Sequence, residues 1–233
     1  MNIDSKHSVL LEIDPQNDFC PAYITSAGKQ TQPGALAVAG GDKAIPPLNA
    51  LAAAVAAAGG RVAASQDWHP REHVSFASNH AAKNAGECIE MENGISQVLW
   101  PDHCVQGTWG AQFHEKLDTG PISMIIRKGF RAGLDSYSAF FENDKKTSTG
   151  LDGWLRGLGI THVIAGGLAT DYCVFYSVMD ALNLGFNVIV ASDAVFGVDY
   201  PPGSIGNAIH AMKKGSAVFL SSQEIIHALG PLA

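Results

Sequence analysis

Cysteine is scarce in this chain and, where present, unpaired. Its four residues, Cys20, Cys88, Cys104 and Cys173, are scattered along 233 positions without paired spacing. That pattern speaks against a disulfide framework and for reduced thiols in a cytoplasmic protein. Long apolar runs are missing too: no window approaches the roughly 20 residues of a membrane-spanning helix. The start, Met1 to His7, lacks the apolar core of a signal peptide and runs directly into a strand pattern. Positive charge is in deficit, with 15 Lys and Arg against 22 Asp and Glu and a formal net charge of -7. A nucleic-acid footprint is therefore not expected, and small-molecule partners are favoured. No repeat, low-complexity tract or linker divides the chain, so residues 1–233 read as one domain.

What is present is an alternation of short apolar runs with longer helical patterns. Ser8 to Ile13, Arg61 to Ser65, Ile122 to Arg127, His162 to Ala165, Asn187 to Ala191 and Ala217 to Leu220 read as strands. Lys43 to Ala58, Leu151 to Leu158, the segment from Val174 to Leu184, Gly203 to Lys214 and Gln223 to Leu229 read as helices. The alternation predicts an α/β fold: a doubly wound, mostly parallel sheet of about six strands with helices on both faces. Two stretches break the rhythm. Pro21 to Gly41 is a long loop or a small hairpin, and Pro70 to His114 is an excursion dense in His, Asn, Gly and Trp. Both leave from the carboxyl ends of strands, where open parallel sheets bind ligands, so both are expected to border the site.

The segment Gly166-Gly167-Leu168-Ala169-Thr170-Asp171-Tyr172-Cys173 ends a strand in a small-residue turn and delivers Cys173 to a helix start. Unpaired N–H groups and the positive dipole end there favour a thiolate. Taken alone, Cys173 reads equally well as a nucleophile or as a small buried hydrophobe. Its company changes the balance. Asp14, Asp67 with His69, and Lys128 follow three other strands, at the same edge of the predicted sheet. A carboxylate at Asp14 can take the thiol proton, and a lysine at Lys128 favours both anions. The backbone N–H groups of Ala169 and Cys173 are placed to receive an oxyanion. Asp67-x-His69 puts a carboxylate and an imidazole on one side of an extended stretch, and His103 follows in Trp100-Pro101-Asp102-His103-Cys104. Such donors suit Zn²⁺, Fe²⁺ or Mn²⁺. Cys104 reads as a packed thiol, His80 and His114 as surface or loop residues, and His73 as exposed, hydrogen-bonded or ligating.

These motifs together resemble the nicotinamidase branch of the isochorismatase-like cysteine hydrolases. The resemblance rests on Asp14 with Asn17-Asp18-Phe19, Asp67-Trp68-His69-Pro70, Trp100-Pro101-x-His103-Cys104-Val105, Lys128, and Leu168-Ala169-Thr170-Asp171-Tyr172-Cys173-Val174. It implies hydrolysis of nicotinamide to nicotinate and ammonia in NAD salvage, through a thioester on Cys173, with pyrazinamide as a further substrate. Asp14 would be the base and Lys128 its triad partner. Asp67, His69 and His103 would hold one divalent ion, Zn²⁺ ahead of Fe²⁺ or Mn²⁺, with His73 suggested as a fourth ligand. Phe19, Trp100 and Tyr172 would line the substrate site, Phe19 and Trp100 sandwiching the pyridine ring. A cis peptide would fall at Leu168–Ala169, and paired surface helices would allow a homo-oligomer. Two features depart from the family pattern: an insertion around Ala22 to Gln32, and Glu12 at a strand position that is usually apolar. Hydrolysis of another small amide or N-carbamoyl compound on the same scaffold is the alternative.

Overall fold

Strands buried on both faces read as continuous apolar runs, and that is what Ser8–Ile13 does: all six of its residues are buried. The computed structural model describes residues 3–92 and 94–230; Met1, Asn2, Asn93 and residues 231–233, parts of the expected domain, lie outside the described residues. In chain order the strands are β1 (Ser8–Ile13), β2 (Arg61–Asp67), β3 (Cys88–Glu90), β4 (Ser96–Val98), β5 (Ile122–Lys128), β6 (His162–Leu168), β7 (Asn187–Phe196) and β8 (Val218–Leu220). Six of them form one parallel sheet in the order β5-β2-β1-β6-β7-β8. The helices are α1 (Ile45–Ala57), α2 (Leu151–Gly157), α3 (Phe175–Asn183), α4 (Ser204–Lys214) and α5 (Ser222–Ala228). Period-two alternation sends Leu10 and Ile164 to one face, under Leu48, Leu51 and Val55 of α1 and Ile225 of α5. It sends Val9, Leu11 and Val163 to the other, under Leu155 of α2, Val178 of α3 and Met212 of α4. This is the doubly wound α/β architecture the alternation predicts.

Three local expectations change. Gly166 and Gly167, expected in a turn, are the last part of β6. A Cβ on Gly167 would lie 2.0 Å from the Ile13 carbonyl oxygen, and one on Gly166 would lie 2.8 Å from the Leu48 side chain. The glycines serve close approach of β6 to β1 and α1, not chain reversal. The Pro70–His114 excursion contains the antiparallel ribbon β3/β4, whose short strands have no apolar run to announce them. Within Pro21–Gly41 the small-hairpin alternative holds, with an antiparallel bridge between Ile24 and Gln30.

Glu12, the polar residue of β1, is fully buried, and neither carboxyl oxygen has a hydrogen-bond partner. Its neighbours in register are Ala64 on β2 and Gly166 on β6, two small residues that leave it room. Burial, with a smaller push from Asp118, raises its pKa to about 8. The folded chain therefore holds this proton to higher pH than the unfolded chain does. The resulting stability is complete below about pH 4.5 and is lost as pH rises toward 8. Glu12→Gln should remove that slope. Urea unfolding at pH 5 and pH 9 is expected to show the variant gaining on the wild type by on the order of 3–5 kcal/mol between the two.

Candidate active site

The carboxyl ends of β1, β2, β5 and β6 meet at one edge, and each delivers one reactive group. Asp67 and Lys128 are register partners on β2 and β5, so their side chains leave the same face of the sheet. The Lys128 ammonium lies 2.8 Å from Asp14 Oδ2, 2.5 Å from Asp67 Oδ1 and 3.4 Å from Cys173 Sγ, and donates to the Ser136 carbonyl at 3.1 Å. Lys128 and Asp14 are 0% exposed. Burial alone would strip charge from such groups; here it is opposed by contact. Desolvation works against the Lys128 ammonium, but Asp14 and Asp67 hold its pKa well above normal. It works against the Asp67 carboxylate too, yet Lys128 and His69 hold that group far below the usual range. For Asp14 burial prevails over Lys128, and the pKa is raised. Ser65, on β2, donates from Oγ to Asp14 Oδ1 at 2.7 Å and fixes the carboxylate's orientation.

Cys173 sits in a single π-turn, Thr170–Val174, that leads into α3. Such turns cluster at functional sites because they push one residue out of helical register. The Leu168–Ala169 peptide is cis, as the family resemblance implies. The expectation of a thiolate favoured by a helix start does not hold for the resting site. Burial raises the Cys173 pKa well above the usual thiol value, Lys128 opposes it, and the carboxylates of Asp14 and Asp67 add to it. The thiol keeps its proton until a base removes it.

Beyond Asp67 lies the imidazole pair. His69 Nδ1 is 2.8 Å from the Gly129 carbonyl oxygen, and His103 Nδ1 is 2.7 Å from that of Pro101. A carbonyl can only accept, so each ring carries hydrogen on Nδ1, and Nε2 is the nitrogen that becomes bare when the ring is neutral, as ligation requires. Those Nε2 atoms stand 3.4 and 3.9 Å from Asp67 Oδ2, and the three donor groups lie within 4.8 Å of one another. One carboxylate and two imidazoles, each ring held by a carbonyl behind it, fit a divalent ion. Asp67 thus faces both ways, with Oδ1 on Lys128 and Oδ2 on the imidazoles. Gln16 clamps its backbone, accepting from the Asp67 N–H and donating to its carbonyl, both at 2.8 Å.

A cavity of about 390 Å³, including its open mouth, joins the two groups. Asp67, His69, His103, Ala169 and Cys173 line it, as do Phe19, Trp100 and Tyr172. The aromatic edge is fixed by contacts between Trp100 and Tyr172 at 4.8 Å and between Phe19 and His103 at 5.6 Å. Four lining residues were not expected: Leu36, Asp135, Tyr137 and Val198. Asp135 and Tyr137 lie in the loop that follows β5; their place after a strand's carboxyl end was the only signal. His73 is fully buried, 2.8 Å from Ser75 Oγ, and groups with His69 and Asp135 instead of joining the Asp67–His69–His103 trio. Exposure does not hold; the Ser75 contact fits the hydrogen-bonded reading, and the Nε2 without a hydrogen-bond partner beside His69 and Asp135 fits the ligating one. His80 is a half-buried loop residue, and His114 is a loop residue that is buried, not at the surface, with its ring 3.8 Å from that of Tyr23. Tyr23, from the long segment after β1, covers this histidine. Cys104 is a packed thiol as expected. No helix among the described residues is long and apolar enough to cross a membrane.

The isochorismatase domain family matches residues 8–224. The chain is 41% identical to a nicotinamidase from Acinetobacter baylyi, over 95% of this chain and 96% of that one. A solved nicotinamidase/pyrazinamidase from Acinetobacter baumanii superposes with a TM-score of 0.86 at 43% identity, covering 96% of this chain and all of that one. A pyrazinamidase from Pyrococcus horikoshii, solved in complex with zinc, is 32% identical with a TM-score of 0.71, over 92% and 99% of the two chains. Sheet order, the groups at its edge and these likenesses agree: the chain belongs to the isochorismatase family, within its nicotinamidase branch.

Proposed function

We propose that this protein hydrolyses nicotinamide to nicotinate and ammonia through a thioester on Cys173, as a step of NAD salvage. The observation that carries the reading is that the buried thiol and the Asp67–His69–His103 trio border one cavity walled by Phe19, Trp100 and Tyr172. Asp14 accepts the thiol proton, and the sulfur bonds to the amide carbon while the carbonyl electron pair moves onto oxygen. The N–H groups of Ala169 and Cys173 receive that oxyanion. Asp14 then gives the proton to the amide nitrogen, the C–N bond breaks and ammonia leaves. Water adds to the thioester with Asp14 again as base; the C–S bond breaks, the sulfur regains a proton and nicotinate departs. Lys128 stays charged throughout, so neither anion is left without a partner. A divalent ion held by Asp67, His69 and His103 would supply a Lewis-acid contact for the pyridine nitrogen. The aromatic side chains hold the ring flat, which is catalysis by positioning.

The zinc-loaded protein is expected to release ammonia and nicotinate in equal amounts from nicotinamide, and to act on pyrazinamide. Strong chelation should remove the activity and added zinc restore it. N-carbamoyl compounds should be turned over on the order of 10²-fold more slowly in kcat/KM or worse. Preference for them over nicotinamide would transfer the site to another class of small amide.

A further inference from the structure

We infer that Asp18 is a positioning residue for the two imidazole ligands, an inference that rests on the metal-bearing reading above. Its buried carboxylate accepts two backbone N–H groups, that of Cys104 at 2.7 Å on Oδ2 and that of Ala35 at 3.0 Å on Oδ1. Cys104 directly follows His103, and its own carbonyl accepts the N–H of His69 at 3.1 Å. One side chain therefore holds a residue whose peptide groups connect to both histidines. Cys104 has a φ of +47°, a left-handed conformation that a non-glycine residue keeps only when its surroundings impose it.

The chemistry requires a carboxylate. Both partners are donors, and only an ionised acid accepts at both of its oxygens; an asparagine would turn its NH₂ toward one of them. Two glycines make the space. A Cβ on Gly110 would lie 1.9 Å from Asp18 Oδ2, and one on Gly34 would lie 2.3 Å from the Asp18 carbonyl oxygen. The Asp18 backbone N–H donates to Gly110 at 3.0 Å, closing the cradle. Asp18 does not line the cavity and has no contact with the Cys173 sulfur among those described, so its influence runs through the ligands.

The test compares wild type, Asp18→Asn and Gly110→Ala, each loaded with zinc and titrated with a chromophoric chelator. Asp18→Asn removes an acceptor, and Gly110→Ala displaces the intact carboxylate. In both, zinc affinity should fall by about 10- to 100-fold. Iodoacetamide labelling of Cys173 in the metal-free proteins, followed by peptide mass mapping, should be unchanged, and thermal unfolding should stay cooperative. Wild-type zinc affinity in either folded variant would overturn the inference and leave the amidase reading standing. Matching losses of zinc affinity and Cys173 labelling would also overturn it, since they describe a general support. If Asp18→Asn does not fold, Gly110→Ala decides. A wild-type protein that binds no zinc would defeat the metal-bearing reading itself.

Discussion

Cys173→Ala is expected to abolish nicotinamide turnover, with kcat falling by about 10⁴-fold or more, while folding and zinc content stay as in the wild type. The substitution deletes one sulfur and leaves the contacts of Lys128 with both carboxylates in place. Lys128 loses a 3.4 Å contact but keeps Asp14, Asp67 and the Ser136 carbonyl. The ligand trio does not include the cysteine, so the ion should remain. Asp14→Asn should be nearly as damaging for a different reason. The thiol pKa is raised by burial and by two neighbouring carboxylates, so near neutral pH the sulfur holds its proton and needs a base beside it. An amide cannot take that proton. Steady-state ammonia release, with zinc measured on the same samples, checks both variants. Near-normal turnover by Cys173→Ala would reject the thioester route.

Lys128→Met should combine the other large loss of activity with the largest loss of stability. The ammonium is buried between two carboxylates and is the cation in contact with both. Without it, Asp14 and Asp67 face one another with uncompensated charge, a change that typically costs about 3–5 kcal/mol. The sign of the pH dependence follows. In the variant both carboxyls should titrate higher in the folded state, so part of the stability is regained as pH falls and they take up protons. Urea unfolding of the metal-free protein at pH 7 and pH 5 tests this: the gap between wild type and variant should narrow at the lower pH. Lys128→Arg should not rescue activity, because a planar five-donor fork does not replace a compact ammonium among three close acceptors. A Lys128→Met protein as stable as the wild type would show that the ammonium does not compensate the two acids.

How far the chain could be read depended on the kind of physics involved. β1 follows from a continuous apolar run and α1 from an Ala- and Leu-rich stretch, both local signals, and their expected ranges differ little from those observed. Asp14, Asp67, His69, Lys128 and Cys173 are legible because each lies at or just past the carboxyl end of a strand in the parallel sheet, and such a sheet collects those ends at one edge; His103 comes from the long excursion and is legible only through its motif. Gly166 and Gly167 were misplaced because a turn and a close packing contact ask for the same residue, and only the partner strand separates them. The burial of His114 within its loop was not legible because the residue that covers it, Tyr23, lies 91 positions earlier, in a segment with no periodic signal. Asp135 and Tyr137 reach the cavity from an irregular loop, whose course is set by what it packs on.

The sequence by itself determined the layered architecture, the strand ends that carry chemistry and the set of groups found there, because these depend on side-chain period and residue type. The tertiary structure decided how those groups share charge. It made Asp67 the link between the Lys128 ammonium and the imidazoles, kept the Cys173 proton in place at rest, and left Glu12 without a partner in the core. Each of these turns on burial and on separations of a few ångströms between residues far apart in the chain, and electrostatic energy varies steeply over such distances once water is excluded.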